Sequence, residues 1–222
     1  VGLGRNGKEE EKDIKRSVLF FSMEMSLREL SDRFVFSESG ANMVEWRTGH
    51  VQNEDIQKLQ KVRDKLRDLN IYIDVRPGLS ISQIAHRARQ AKLMHNIDLI
   101  VIDYLQLATS GTRMQKDNRQ EEVAIVSKGF KKIAKDLSVP IVALAQLNRN
   151  AARGKHEEPN LADLRESGQI EQDADFVGLL HQVTPRTEEE ENAFVETLKR
   201  QGIKEELHEY TKHTKLIIAK QR

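Results

Sequence analysis

Residues 98–106 read DLIVIDYLQ: Leu99, Ile100, Val101 and Ile102 run directly into the carboxylate of Asp103. A short, continuous apolar run rich in branched residues fits a strand buried on both faces, as in parallel sheets covered by helices. An acid closing such a strand has two readings. It opens a turn, which Asp favours, or it is a group held at the edge of a sheet for chemistry. What the neighbouring runs end in bears on the choice.

Working outward, residues 17–23 (SVLFFSM) and 139–145 (VPIVALA) are runs of the same kind, and residues 71–75 (IYIDV) form another, stopped by Pro77-Gly78. Helical patterns lie between them. Ser26 is placed to cap a helix reaching about Ser39. A looser stretch containing Gly40 and Gly49 follows, and then Asn53 is read as the cap of an amphipathic helix carrying Ile56, Leu59, Val62 and Leu66 on one face. Ser80 or Ser82 opens a helix to about His95, and residues 120–137 form a basic helix with Val123, Phe130, Ile133 and Leu137 on one side. Polar loops cover residues 109–119 and 147–160, and residues 176–180 and 216–219 are two further strand candidates. Strands alternating with helices predict an α/β fold, a mostly parallel central sheet flanked by helices. Residues 184–214, with Glu188 to Glu191 in a row, read as a charged helical excursion between the last two strands.

The 222 residues suffice for one domain with a real core, and the expectation is a single domain over 1–222. A net charge of +1 excludes a histone-like polycation, so any nucleic-acid contact must come from local clusters. The absence of cysteine excludes disulfides and thiolate metal sites. No apolar run approaches the roughly 18–20 residues that span a bilayer, and residues 1–16 lack the apolar core of a signal peptide. A cytoplasmic protein without a membrane partner is expected.

In an open parallel sheet, ligands bind beyond the carboxyl ends of the strands. Three runs end in polar groups there: SVLFFSM in Glu24, LIVID in Asp103 and VPIVALA in Gln146. Two carboxylates and an amide at one edge suit metal-assisted attack of water on a phosphate. One acid would hold Mg2+ through its waters, the other would orient and deprotonate the attacking water, and the amide would meet the terminal phosphate. Singly, each has a plainer reading: Glu24 as a helix-start acid favoured by the macrodipole, Asp103 as a turn opener, Gln146 as a surface amide. Their recurrence at successive strand ends favours the chemical reading.

The segments SMEM (22–25), LIVIDYLQL (99–107), NRQEEVAIVSKGFKKIAKDLSVPIVALAQLNR (118–149), LRESGQIEQDAD (164–175) and IIAKQR (217–222) resemble the motor domain of bacterial replicative DNA helicases of the DnaB type. They occur in family order over most of the chain. The resemblance implies a RecA-like P-loop NTPase core, use of ATP and Mg2+, and a homo-hexamer moving on single-stranded DNA, with primase and a helicase loader as partners and 5′ to 3′ polarity. It implies that Glu24 is the catalytic glutamate, Asp103 the Mg2+-side aspartate, and Gln146 the γ-phosphate sensor. Arg33 corresponds to an arginine near the nucleotide, and Lys220 and Arg222 to a basic pair reaching a neighbouring subunit's ATP. Supplied in trans, such an arginine stabilises transition-state charge, and its guanidinium fork suits phosphate oxygens. The plainer reading of Lys220 and Arg222 is a solvated chain end.

Arg165, Glu166 and Gly168 correspond to the family's loop on single-stranded DNA. An arginine and backbone N–H groups beside a glycine can hold phosphates without reading bases; an ordinary surface ion pair is the alternative. Arg119 is a further DNA candidate. Lys128, Lys131, Lys132 and Lys135 read as a solvated face.

One family element is missing. No G-x-x-x-x-G-K-[ST] occurs in the 222 residues. The expectation is a partial motor domain, cut after the phosphate loop and just past the strand leading into Arg222, without the primase-binding collar, and inactive alone. The competing reading is a non-catalytic RecA-like module for DNA binding or assembly. Another RecA-like ATPase is a third, against which RESG..EQDAD argues.

Overall fold

The computed structural model describes residues 15–111, 119–147, 158–183, 187–200 and 213–221. The chain forms two compact units, residues 1–113 with 129–145, and residues 114–128 with 146–222.

The first unit holds a four-stranded sheet of β1 (Ser17–Ser22), β2 (Asn70–Asp74), β3 (Leu99–Asp103) and β4 (Ile141–Ala143), in the order β2-β1-β3-β4. Every pairing in it is parallel, as the continuous apolar runs predict. Phe21, Ile100 and Ile102 are fully buried, while Leu99 and Val101 are half-buried, so one face of β3 carries most of the core. β4 is shorter than residues 139–145 suggested. Pro140 has no N–H to give a ladder, and only Ile141 to Ala143 keep strand geometry, although the Pro140 carbonyl still accepts from Ile100 at 3.0 Å.

The helices start and stop where local chemistry directs. α1 (Leu27–Ser39) opens with a capping box: Ser26 accepts from the Glu29 N–H while Glu29 accepts from the Ser26 N–H. It closes at Gly40, whose φ of 66° needs no Cβ penalty. The stretch read as loose contains α2 (Met43–Thr48), capped by Asn42 and ended by Gly49. α3 (Asn53–Arg67) corrects the expected cap: Gln52 is the N-cap, without a side-chain bond, and Asn53 is already helical. Ser80, not Ser82, caps α4 (Ile81–His95). α5 (Arg119–Leu137) gives its first half to the second unit and its second half to the first.

The second unit contains a 3-10 helix (Leu161–Ser167), α6 (Gly168–Asp173), β5 (Phe176–Val183), α7 (Glu188–Arg200) and β6 (His213–Gln221). β5 and β6 pair antiparallel, from Phe176 opposite Gln221 to Val183 opposite His213, with a register shift at Val177/Gly178. The parallel pattern therefore stops with the four-stranded sheet. Leu164, Val177 and Leu179 form this unit's buried cluster, with Leu147, Leu161, Ala174, Ile217 and Ala219 packed around it. Of the excursion at 184–214, α7 is helical as expected, and residues 184–186 and 201–212 lie outside the described residues. No helix among the described residues is long and apolar enough to cross a membrane.

Candidate functional site

The carboxyl edge of the parallel sheet is built from strand register. Phe21 lies opposite Asp74, and one residue on, Ser22 lies opposite Asp103. The ends of β2, β1 and β3 thus form one row. The Met23 N–H then donates to the Asp103 carbonyl at 2.9 Å, which carries the contact one step beyond the ladder. Ser22 is fully buried, and its hydroxyl donates to the Met25 carbonyl at 3.0 Å. That bond closes the turn carrying Glu24, whose side chain is exposed; Asp103 is half-buried. The peptide bond between Asp103 and Tyr104 is cis.

The other predicted residues are distributed as follows. Arg33 sits on α1, exposed. The Ser26 hydroxyl and N–H, donating to the Glu29 carboxylate at 2.7 and 2.9 Å, hold that carboxyl below its usual range, and the charges of Arg33 and Arg47 add to this. Gln146 follows β4 by three residues, belongs to the second unit and is exposed. Arg119 is the exposed first residue of α5. Arg165 and Glu166 lie in the 3-10 helix, with their side chains outside the described residues. Gly168 is exposed, with ordinary helical angles (φ −49°, ψ −22°) and open space where a Cβ would be. Neither backbone conformation nor local packing therefore calls for glycine there. Lys220, half-buried on β6, donates through Nζ to the Glu171 carbonyl. Arg222 lies outside the described residues.

Of the predicted set, strand register brings Glu24 and Asp103 together. Sequence reading missed Asp74. Its carboxylate closes β2 as Asp103 closes β3, and it accepts from Arg76 Nε at 2.9 Å and Arg76 Nη2 at 2.6 Å. Arg87 Nη1 stands 3.5 Å from the same carboxylate. The signal was available, because IYID repeats the pattern of LIVID. The described residues hold no group of three or more His, Asp or Glu side chains poised for a metal. An acidic edge with few protein ligands fits Mg2+, which keeps several waters and takes one or two carboxylates beside phosphate oxygens.

A parallel α/β sheet with acids along its carboxyl edge defines a domain that takes its ligand at that edge. The chain belongs to the family described as DnaB-like helicase C terminal domain, whose family model matches residues 5–222. It is 41% identical over 176 residues to the replicative DNA helicase DnaC of Bacillus subtilis, covering 79% of this chain and 38% of that protein. It is 41% identical over 166 residues to the replicative DNA helicase DnaB of Rickettsia bellii, covering 75% of this chain and 33% of that one. The chain thus spans little more than a third of these relatives' length. Among solved structures, the ATPase domain of G40P superposes with a TM-score of 0.74 at 29% identity, over 93% of this chain and 67% of that one. A DnaB-like replicative helicase, solved in a study of its interactions with primase, gives 0.73 at 27%, over 93% of this chain and 46% of that one.

Proposed function

We propose that these residues form the motor domain of an ATP-dependent replicative DNA helicase, which moves along single-stranded DNA as a homo-hexameric ring and unwinds duplex at the fork. The observation that carries this reading is the register of β1 on β3, which sets Ser22 against Asp103 and so brings Glu24 and Asp103 to one edge. Asp103 would hold Mg2+, which when bound neutralises charge on the phosphates. Glu24 orients water and takes its proton as the water oxygen bonds to the γ-phosphorus and the bond to the β-phosphate oxygen breaks. Gln146 is assigned to the γ-phosphate, Arg33 to the nucleotide, and Lys220 and Arg222 to a neighbour's ATP. For Lys220 this requires release from the Glu171 carbonyl.

Arg165, Glu166, Gly168 and Arg119 are assigned to the DNA backbone. Gly168 supports this, since its missing side chain leaves room for close approach and has no conformational cause. Likeness to a helicase studied with primase makes primase a proposed partner, and a helicase loader follows from the family resemblance. A cytoplasmic site of action accords with a replicative role.

A second reading is a non-catalytic RecA-like module for DNA binding or assembly; the 222 residues themselves contain no G-x-x-x-x-G-K-[ST]. The phosphate loop holds the β- and γ-phosphates, so these residues alone are expected to hydrolyse ATP negligibly. The deciding experiment measures ATP hydrolysis by the full-length gene product, with and without single-stranded DNA, beside Glu24→Gln. DNA-stimulated turnover that collapses in the variant supports the motor. Ring assembly without turnover supports the module.

A further inference from the structure

A second charged cluster stands at the same sheet edge, on the far side of β1 from Asp103. Asp74, with a side chain only 11% exposed, binds the Arg76 guanidinium through both carboxylate oxygens and also accepts from the Arg76 N–H at 3.2 Å. Arg87, on α4, approaches the same carboxylate at 3.5 Å. Its Nε is buried and has no hydrogen-bond partner among the described residues. A guanidinium carries five N–H donors, and among the described residues the Nε of Arg87 is one that goes unmet. One carboxylate against two guanidiniums leaves a local charge of +1.

The loop carrying Arg76 is held firmly. Gly78 turns it at φ 61°, and Ser80 and Gln83 close a capping box at the start of α4. The Thr109 N–H donates to the Leu79 carbonyl at 3.0 Å, and the Ile81 N–H donates to the Thr109 carbonyl at 2.9 Å. This stitches the loop after β2 to the loop after β3. Arg76 spends one side of its fork on Asp74, and with its side chain 55% exposed it offers the other to solvent. Two strand spacings, roughly 10 Å, separate the Asp74 and Asp103 positions.

We propose that Arg76 and Arg87, tethered by Asp74 at the end of β2, form a phosphate-binding site at the carboxyl edge of the sheet. A guanidinium oriented by a carboxylate is already set for a bidentate oxyanion contact and loses little freedom on binding. The phosphate comes from the single-stranded DNA backbone, which rests on the motor reading, or from the nucleotide.

The test titrates the full-length gene product and its Arg76→Gln variant with a fluorescein-labelled oligothymidylate over a salt series by anisotropy, and with ATP alone by calorimetry. Arg76 is a surface residue, so Arg76→Gln is expected to fold; Arg87→Gln runs beside it, and thermal unfolding checks both. A backbone contact predicts oligothymidylate binding on the order of tenfold weaker in Arg76→Gln, with a salt slope lower by about 0.7. Arg76→Lys keeps that slope and loses part of the affinity, because it keeps the charge without the fork. A loss confined to ATP upholds the site and assigns it to the nucleotide. If the wild type binds the oligothymidylate and Arg76→Gln changes neither titration, the site is overturned while the DNA reading stands. If the wild type binds ATP but not the oligothymidylate, the DNA reading falls, and the site stands or falls on the ATP loss. Binding of neither probe by the wild type overturns both.

Discussion

The Met23 N–H donates to the Asp103 carbonyl at 2.9 Å, one residue past the Ser22–Asp103 pair that ends the β1–β3 ladder. The proposed catalytic glutamate and the proposed Mg2+-side aspartate are therefore joined through the backbone, each within one residue of that bond. The placement of Glu24 then depends on the turn that follows, which the Ser22 hydroxyl closes on the Met25 carbonyl.

Ser22→Ala removes that closure. The side chain is fully buried, so the cost is the lost hydrogen bond, about 1 kcal/mol. Denaturant unfolding should show a lower midpoint with an unchanged slope. In the full-length protein the same change should lower turnover more than it raises KM, because it loosens Glu24 and leaves the nucleotide contacts in place.

Glu24→Gln keeps the shape of the side chain and removes the base. General-base loss costs on the order of 10²- to 10⁴-fold in rate. Glu24 is exposed and outside the ladder, so the melting temperature should not move. Single-turnover hydrolysis by the full-length protein separates this loss from any change in nucleotide affinity.

Much of this edge was legible beforehand, for a physical reason. A strand buried in a parallel sheet must be apolar throughout, so 17–23 and 99–103 announce themselves, and the first polar residue marks the edge. Asp74 was passed over although IYID obeys the same rule, because the run was read on through Val75, which put the acid inside the strand rather than at its end. The direction of the last two strands was not legible. In β5 the buried residues Val177 and Leu179 alternate with exposed Phe176 and Leu180, so a two-faced strand is apolar on both sides and the alternation vanishes from the sequence. The cap of α3 failed differently. Asn53 is the better capping residue, but the backbone turns extended at Gln52 (φ −81°, ψ 150°), and N-cap geometry belongs to the backbone. α2 is six residues long, too short for periodicity to reveal.

Ser127→Ala should destabilise the second unit. Ser127, buried on α5, donates to Asp173 Oδ2 at 2.8 Å, and Gln169 donates to Asp173 Oδ1 at 2.9 Å. Without the hydroxyl, one oxygen of a partly buried carboxylate loses its donor, a cost of about 1–3 kcal/mol. Asp173→Asn should cost less than the sum of separate losses, because the residues share one network. A double-mutant cycle by thermal unfolding measures the shared part.

Gly129→Ala should also destabilise, against helix propensity. In the middle of α5, alanine normally gains about 1 kcal/mol over glycine. Here a Cβ would overlap the Ile81 side chain at the start of α4. Overpacking costs roughly 1–3 kcal/mol, so the balance is a net loss on the order of 1 kcal/mol. The added Cβ would meet Ile81 Cγ1 first, so Gly129→Ala made on an Ile81→Ala background should cost less than on the wild type, and an equal cost in both would show that Ile81 is not the obstacle.

Asp98, the first residue of the stretch that decides the fold, gives a pH test. The Ser17 N–H donates to its Oδ2 at 2.9 Å, and Arg16 stands 3.5 Å from Oδ1. The backbone N–H first, and then the arginine, hold the carboxyl below its ordinary value of 3.8. A carboxyl with a folded pKa below its unfolded one stabilises the fold above the unfolded value, and that contribution fades as pH falls through the folded value. Asp98→Asn keeps the side-chain size without the charge. At neutral pH the variant should unfold at lower denaturant than the wild type, with the full difference present. On acidification the difference should hold down to about pH 4 and then shrink towards whatever a neutral hydrogen bond leaves. Salt should trim the part due to exposed Arg16 and spare the part due to the Ser17 N–H. A difference independent of pH would mean that Asp98 supports β1 as a neutral acceptor alone.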